Sequence, residues 1–587
     1  MEGKRVKKSI LLAIVLSTMV WALPSGIENA IAKSHIPKKE ISLYIKEAGN
    51  SSRVVAALNI HQMRTPASII KVLTTYAAVL KLGFDYRWPT EFYTRGRLSG
   101  GVLHGDLIVK GYGDPTLSDK DLPEIVSRIK TAGIRKITGN IVIDRSYFKV
   151  GTRNTSGFDN HPHSPYNAMP DAMQFNERVS TICVAPNQNS VTKKVPDNSF
   201  VIHNQLQRVN KPCRGRYSWP RVKIDDAKPV PEVWLSGKIS NRCRKRNICQ
   251  VLTQPYKSFY YALKAELRSA GVQVNGTLRL QRVPKGAKRL FTHYSAPLEK
   301  IVSKTAKKSN NLYARHIMLL LGAKMYGAPA TLEKGRRAVR VILKARGALK
   351  SDLPHIDNGC GLSRESKLSA KLLADVLDDA YERYGMRWMK TLSIAGVDGT
   401  IKRRFRGTIV RKRAWMKTGT LKYAKNIAGY VKSRSGRYYT VVIIVNTRKG
   451  HWRAAGLEND IIKWVVTYRG GSGRANAPKP APKPVKKAQK AAAKSVPKAT
   501  PPTAAAKEAY YIQTGSFSHK PTDFYLGTLR KMGHSPVVRN EGVYKVLVGP
   551  YKTEAQARKA LKEIRSRVNK GAFLTRRALA KTNTALY

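Results

Sequence analysis

The chain has 587 residues, 42% of them apolar, and a formal net charge of +71. That length allows several domains, and that apolar share excludes a wholly disordered chain. The charge implies attraction to a polyanion without saying which one. Its basic residues are spread along the sequence, with no zinc-finger, helix-turn-helix or RNP-like pattern, so nucleic-acid binding is not expected.

Residues 1–32 read as an export signal. Lys4, Arg5, Lys7 and Lys8 precede an apolar run over 10–23 and a small-residue site at Ala30-Ile31-Ala32. The run is short for a membrane span, which favours a cleaved signal over an uncleaved anchor. For an exported chain, the polyanions to consider are wall polymers, peptidoglycan carboxylates and lipid headgroups.

A helix is expected over 69–82, where Ile70, Leu73, Ala77 and Leu80 recur at helical spacing. At its start lies Pro66-Ala67-Ser68-Ile69-Ile70-Lys71. Ser68 and Lys71 are one helical turn apart on one face. A serine hydroxyl needs a base to become a nucleophile, and a desolvated lysine with a lowered pKa can be that base. Free N–H groups at a helix start can stabilise an oxyanion. Alone, the spacing is common by chance and is read first as a first-turn serine and an exposed lysine.

Residues 102–114 read as a strand with a Gly-Asp turn. The segment 85–290, with Gly-rich turns and short strands, reads as one or two inserted domains. It holds Cys183, Cys213, Cys243 and Cys249. Export permits disulfides there, but the sequence leaves the pairing open. Cys360 stands apart, as a small filler in a Gly-rich turn.

Helices are expected over 257–270 and 297–321. Between basic residues 304–308 and an apolar helical run lies Ser309-Asn310-Asn311. Ser309 can relay a proton to a leaving group, and the Asn311 amide can hold a substrate while bonding a lysine. A plain N-cap with a loop asparagine is the alternative. Further on, Lys417-Thr418-Gly419-Thr420 precedes strands over 428–431 and 438–445. Gly419 permits close approach of an extended peptide, and Lys417 with the threonine hydroxyls offers donors to a carboxylate. The histidines, such as His61, His161, His163 and His355, show no ligand spacing and read as structural or surface residues; serine chemistry of this kind needs neither a metal nor an organic cofactor, and none is expected. Late strands with early and middle helices suggest an α/β or α+β core.

Residues 471–507 carry Arg474 and eight lysines among Pro and Ala, with no acidic residue. Such a segment buries too little to fold and reads as a charged tether. Strand- and helix-like periodicity returns over 508–575, a small α+β domain, before a basic tail at 576–587.

The three short motifs, in this order, resemble the serine penicillin-binding protein signature. PASIIKVLTTYAAVLKLGFDYRWPTEFY, KKSNNLYARHIMLLLGAKMYG, NGCGLSRESKLSA, SIAGVDGTIKRRF and MKTGTLKYAKNIAGY are similar to segments of the class C low-molecular-mass D-alanyl-D-alanine carboxypeptidases/endopeptidases, peptidase family S13. That resemblance covers roughly residues 36–468. It implies a penicillin-binding/β-lactamase-like transpeptidase core, formed by 33–84 and 291–470, with large domains inserted between. It implies Ser68 as acylated nucleophile, Lys71 as general base, and Ser309, Asn311 and Lys417 as catalytic partners. Thr418, Gly419 and Thr420 would bind substrate, and the backbone N–H groups of Ser68 and Thr420 would form the oxyanion hole. The expected partners are peptidoglycan stem peptides, with β-lactams as covalent inhibitors. Asn358 and Cys360 replace the more usual Asp and Ser, which implies altered turn packing without loss of activity.

YYIQTGSFSHKPTDFYLGTLRKMGH and YKVLVGPYKTEAQARKALKEI resemble a SPOR repeat. That resemblance implies binding of denuded glycan strands, a periplasmic location and enrichment at the division septum. Gln513, Phe517 and Tyr551 are its candidate sugar contacts. A β-lactamase-like hydrolase is disfavoured by the long insertion, and a non-catalytic wall-binding protein is the other alternative. Anionic envelope polymers are further candidate partners for the excess charge.

Overall fold

The strand Tyr438–Asn446 reads YYTVVIIVN, apolar on both sides of the chain. A strand of that composition must be covered on both faces, and it is. Val442 and Ile444 face one core, while Val441, Ile443 and Val445 face another. In the computed structural model, which describes residues 23–470 except 152 and 351, and 508–578 except 518–520, 522, 541–543, 552 and 570, this strand lies inside a six-stranded antiparallel sheet. The sheet order is Ser393–Ile394, Ala414–Leu421, Ala424–Lys432, Tyr438–Asn446, Ile41–Glu47, Val54–Leu58.

Helices Lys71–Leu82, Leu298–Lys307, Asn311–Tyr326, Leu332–Ala345 and Ala370–Met389 fill the first core. Leu73 at its centre is fully buried, and withdrawing such a side chain from water contributes roughly 1.5–3 kcal/mol. The opposite face is covered by Ala454–Thr467 together with Ser25–Ser34. Ile27 and Ile31 of the latter helix are buried against the sheet. The expected signal boundary at residue 32 therefore falls within a helix of the folded unit. A cut there would remove Ile27, Ala30 and Ile31 from the core. The apolar run itself lies mostly outside the described residues. Among the described residues no helix is long and apolar enough to cross a membrane.

Two bodies make up the insertion. The first is a seven-stranded mixed sheet containing the hairpin Pro89–Ser99/Val102–Gly111 and ending on Lys288–Tyr294. Helices Leu122–Thr131 and Pro255–Ser269 cover it through Ile125, Ile129, Phe259 and Leu263. The second is a pair of three-stranded sheets, Arg221–Asp225/Glu232–Ser240/Val201–Val209 and Arg246–Gln250/Ser180–Ala185/Ser190–Lys193. Its core is small, with Ile182, Phe200, Leu235 and Ile248. Cys213 and Cys243 form a disulfide there, while Cys183, Cys249 and Cys360 are free thiols. Expected helix 297–321 is two helices, broken at Ser309, whose φ of 54° is left-handed.

The chain divides into two compact units at Ala475. The C-terminal unit is a four-stranded antiparallel sheet ordered Pro536–Asn540, Tyr544–Tyr551, Glu508–Phe517, Phe573–Ala578. Helices Asp523–Lys531 and Glu554–Arg567 accompany it, and Leu529 and Ile564 share a core with Ile512, Val546 and Val548. Its last strand runs to Ala578, past the expected end at 575. The expected tether over 471–507 lies outside the described residues.

Candidate active site

Pro66 precedes a short 3-10 turn, Ala67–Ile70, that runs directly into the helix Lys71–Leu82. This turn needs an unusual backbone, and Ala67 sits at φ 47°. Two glycines make room for it. A Cβ on Gly361 would stand 2.0 Å from the Ala67 oxygen, and one on Gly419 would stand 3.0 Å from the Ser68 nitrogen. Asn426 and Asn446 hold the approach, donating to the Thr65 carbonyl at 3.0 and 3.1 Å. The turn that carries Ser68 is thus clamped between a loop and the sheet.

Lys71 is 1% exposed. Its Nζ donates to Ser68 Oγ at 2.8 Å and to Asn311 Oδ1 at 2.8 Å, and also to the Cys360 carbonyl. Burial, reinforced by the nearby Arg315 charge, lowers its pKa to about 8. A lysine so placed exists partly as the free amine near neutral pH, and its lone pair can accept the Ser68 proton.

Ser309 and Asn311 enter from the start of Asn311–Tyr326, capped by the Asn310 side chain, which accepts from the Tyr313 N–H at 3.1 Å. Lys417, fully buried in Ala414–Leu421, donates to Ser309 Oγ at 2.9 Å. Burial, and then the Lys71 charge, hold Lys417 well below the ordinary lysine range. The five side chains therefore form two hydrogen-bonded groups, Ser68–Lys71–Asn311 and Ser309–Lys417, close enough for the Lys71 charge to act on Lys417. Thr418 Oγ1 donates to Thr400 Oγ1 at 2.8 Å, Gly419 lies over the Ser68 turn, and Thr420 is exposed at the groove. The neighbouring strand Ser393–Ile394 pairs only with Trp415 and Met416. Beyond them, that edge from Lys417 to Leu421 has no partner strand among the described residues, so an extended peptide can add there.

The groove in front of Ser68 has a volume of about 1080 Å³. Part of its wall comes from the insertion. Asn311 Nδ2 donates to the Tyr166 carbonyl at 3.0 Å, and buried Arg315 holds the Asn167 and Ala168 carbonyls. Phe158, Asp159 and Arg364 line the mouth, with the Arg364 guanidinium 4.5 Å over the Phe158 ring. An acid and a guanidinium at one mouth can meet an ammonium and a carboxylate. Glu177 braces the second motif, accepting from Asn310 Nδ2 at 2.8 Å, Lys304 Nζ at 2.6 Å and Tyr313 OH at 3.1 Å. No sequence pattern pointed to these insertion residues, because their role depends on the chain returning to a helix more than 130 positions later.

Asn358 performs a turn role. Its Oδ1 accepts from the N–H groups of Cys360 and Gly361, both at 3.1 Å, and from the Cys360 thiol at 3.1 Å. Cys360 is completely buried. In the C-terminal unit the three candidate sugar contacts separate. Ile512 faces the helices, so Gln513, the next residue, lies on the opposite face of the sheet. Tyr551 is half-buried against the helix-side core, and the Phe517 side chain lies outside the described residues.

The chain is 27% identical over 457 residues to the D-alanyl-D-alanine carboxypeptidase DacB of Haemophilus influenzae, an alignment covering 75% of this chain and 91% of that one. It is 26% identical over 388 residues to a D-alanyl-D-alanine carboxypeptidase of Actinomadura sp., covering 63% and 71% respectively. Among solved structures, penicillin-binding protein 4 of Haemophilus influenzae superposes with a TM-score of 0.64 at 24% identity, over 75% of this chain and 99% of that one, which shows a shared fold. Residues 506–576 match the SPOR domain, and residues 23–467 match the D-Ala-D-Ala carboxypeptidase 3 (S13) family. With three-quarters of its length inside that match, the chain belongs to the S13 family and carries a SPOR domain at its C-terminal end.

Proposed function

We propose that this chain is a periplasmic serine D,D-peptidase of peptidoglycan, with Ser68 as its nucleophile and Lys71 as the base. The observation that carries this is a single buried amine bridging Ser68 Oγ and Asn311 Oδ1 at 2.8 Å each. In the acylation step, Ser68 Oγ bonds to the carbonyl carbon of a D-alanyl residue as its proton passes to Lys71 Nζ. The N–H groups of Ser68 and Thr420 stabilise the oxyanion. Collapse breaks the C–N bond, the departing amine takes its proton from Ser309, and the proton that Lys71 accepted restores the Ser309 hydroxyl, which Lys417 holds. Water then hydrolyses the ester. The leaving group is a terminal D-alanine or the cross-linking side chain of a neighbouring stem peptide. β-Lactams enter the same path and remain as the Ser68 ester.

The unpaired strand edge beside Lys417 supports an extended stem peptide as substrate, with Thr418 and Thr420 near its carboxylate. Residues through Ala22 serve as the export signal, with the cut falling before the buried helix Ser25–Ser34. The SPOR unit holds the enzyme on denuded glycan and enriches it at the septum, where the basic tether meets anionic envelope polymers.

Digestion of purified peptidoglycan, with products identified by mass, tests the reading. The expected products are free D-alanine, opened cross-links, or both, and all vanish with Ser68→Ala. A fluorescent β-lactam should label the wild type and leave Ser68→Ala unlabelled. Equal labelling of both proteins, or of neither, would remove Ser68 from the mechanism.

A further inference from the structure

The strand Glu232–Ser240 alternates between its two faces up to Ile239, after which Ser240 is buried as well. Val233, Leu235 and Ile239 fill the small core of the second inserted body, which turns Trp234, Ser236 and Lys238 outward. Register carries this pattern across the sheet. Arg221, Ser236 and Gln205 share one rung, and Lys238 and Gln207 the next. On the rung before them, the Trp234 ring stacks on His203 with centroids 4.7 Å apart.

At the end of this face lies a groove of about 540 Å³, walled by Trp219, Arg216 and the outward rungs. Trp219 is 50% exposed, an unusual position for the largest apolar side chain. It is nevertheless fixed. The Cys213–Cys243 disulfide ties the loop that carries it, Arg246 Nε donates to the Ser218 carbonyl at 3.2 Å, and the Arg246 guanidinium lies 5.8 Å from the Trp219 ring. Arg216, Arg221 and Lys238 line the groove with Gln205 and Gln207, and among the described residues no acidic side chain does. Glu232, the acid nearest along the strand, is already taken by Lys228 at 2.8 Å and His203 at 3.2 Å.

A rigid exposed indole offers a flat apolar face to a sugar ring. Glutamine amides present donors and acceptors that match hydroxyl and acetamido groups. Guanidinium and ammonium groups match carboxylates. The geometry points to this groove as a binding site for the glycan strand of peptidoglycan, sugar rings on Trp219 and carboxylates against Arg216, Arg221 and Lys238. This rests on the proposed wall substrate, since the strand bound here carries the stem peptides cleaved at Ser68. The site would keep the enzyme on the polymer between turnovers, independently of the SPOR unit.

The chain ending at Gly470, a unit with its own cores, removes the SPOR contribution from the test. Its binding to soluble, amidase-released glycan strands is measured against Trp219→Ala and the pair Arg221→Glu/Lys238→Glu. The expected results are a tenfold loss for Trp219→Ala, a larger loss for the charge reversals, and weaker binding of strands whose carboxyls have been amidated. Trp219→Phe should keep most of the affinity. Labelling by a fluorescent β-lactam should proceed at the wild-type rate in every variant, which certifies folding. Unchanged affinity in both the indole and the charge variants would overturn the assignment. So would equal affinity for polyglutamate or for single-stranded DNA, because either result would reduce the groove to charge alone. Absent β-lactam labelling in the wild type would instead count against the proposed catalytic reading, leaving the glycan measurement to stand by itself.

Discussion

Two grooves in the N-terminal unit use cationic side chains in opposite ways. In the catalytic groove Lys71 and Lys417 are 1% and 0% exposed, and burial lowers the pKa of both. In the groove of the second inserted body, Arg221 and Lys238 stand in water on a sheet face. A cation withdrawn from water loses hydration and becomes a group that can give and take protons. A cation left in water is screened and acts as one of many, adding weakly to attraction. On the function proposed above, the net charge of +71 serves adhesion to the wall, while the chemistry rests on the two lysines that the fold dries out.

The largest test of this contrast is Lys71→Ala. Removing a general base lowers rates by about 10²–10⁴-fold, and acylation by a chromogenic β-lactam should fall within that range. The pH profile carries the sign. Lys71 must be neutral to accept the Ser68 proton, and burial favours the neutral form, so acylation should rise with pH and level off above about 8. Below that point the rate should drop tenfold per pH unit. A flat profile between pH 6 and 9 would remove Lys71 as the base.

Next comes Lys417→Ala, which deletes the partner of Ser309 and leaves a cavity in the strand. Loss of one positioned donor at such a site costs about 10²–10³-fold. Stopped-flow acylation would measure it. A loss below threefold would make Lys417 a packing residue, no different in kind from the exposed lysines of the other groove.

Much of this core is legible in the sequence because its signals are local. The helix 71–82 is rich in apolar residues that recur at helical spacing, and the strand 438–446 carries a run of β-branched apolar residues. Ser68, Ser309 and Lys417 carry motifs whose order alone implies a shared site. What is not legible depends on distant packing. Nothing local distinguishes Ile27 and Ile31 from the tail of a signal sequence, and it takes the distant helix Ala454–Thr467 and the sheet to give them a core. Equally, Tyr551 reads as an exposed aromatic until the helix Glu554–Arg567 is placed beside it. The break at Ser309 is hidden for another reason. Its left-handed backbone is held by contacts made through Asn310 and Glu177, one of which comes from the insertion.

Glu177 itself supplies a smaller test. It sits in a run of left-handed residues, with φ of 46°, 53° and 58° at Asn176, Glu177 and Arg178. Such backbone is strained for side chains other than glycine and persists only where surroundings enforce it. Glu177→Gln keeps the shape and removes the charge that anchors Lys304 and orients Asn310. Acylation should slow by about tenfold, since small displacements of a positioned group are costly. The melting temperature should change by only a few degrees. An unchanged rate would show that the helix holds Asn311 without help from the insertion.

The smallest effect is expected at Cys360, although its carbonyl lies 3.5 Å from Ser68 Oγ. Its carbonyl accepts from Lys71, and a backbone acceptor survives any side-chain change that leaves the turn intact. The thiol donates only to Asn358 Oδ1, which also receives two backbone N–H groups. A serine hydroxyl can make the same bond, so Cys360→Ser should alter acylation by less than about twofold. Asn358→Ala should cost more, about tenfold, because it releases both N–H groups and loosens Gly361 against the Ala67 carbonyl. If the order were reversed, with Cys360→Ser the more damaging, the sulfur would have a function that its buried position and single bond do not supply.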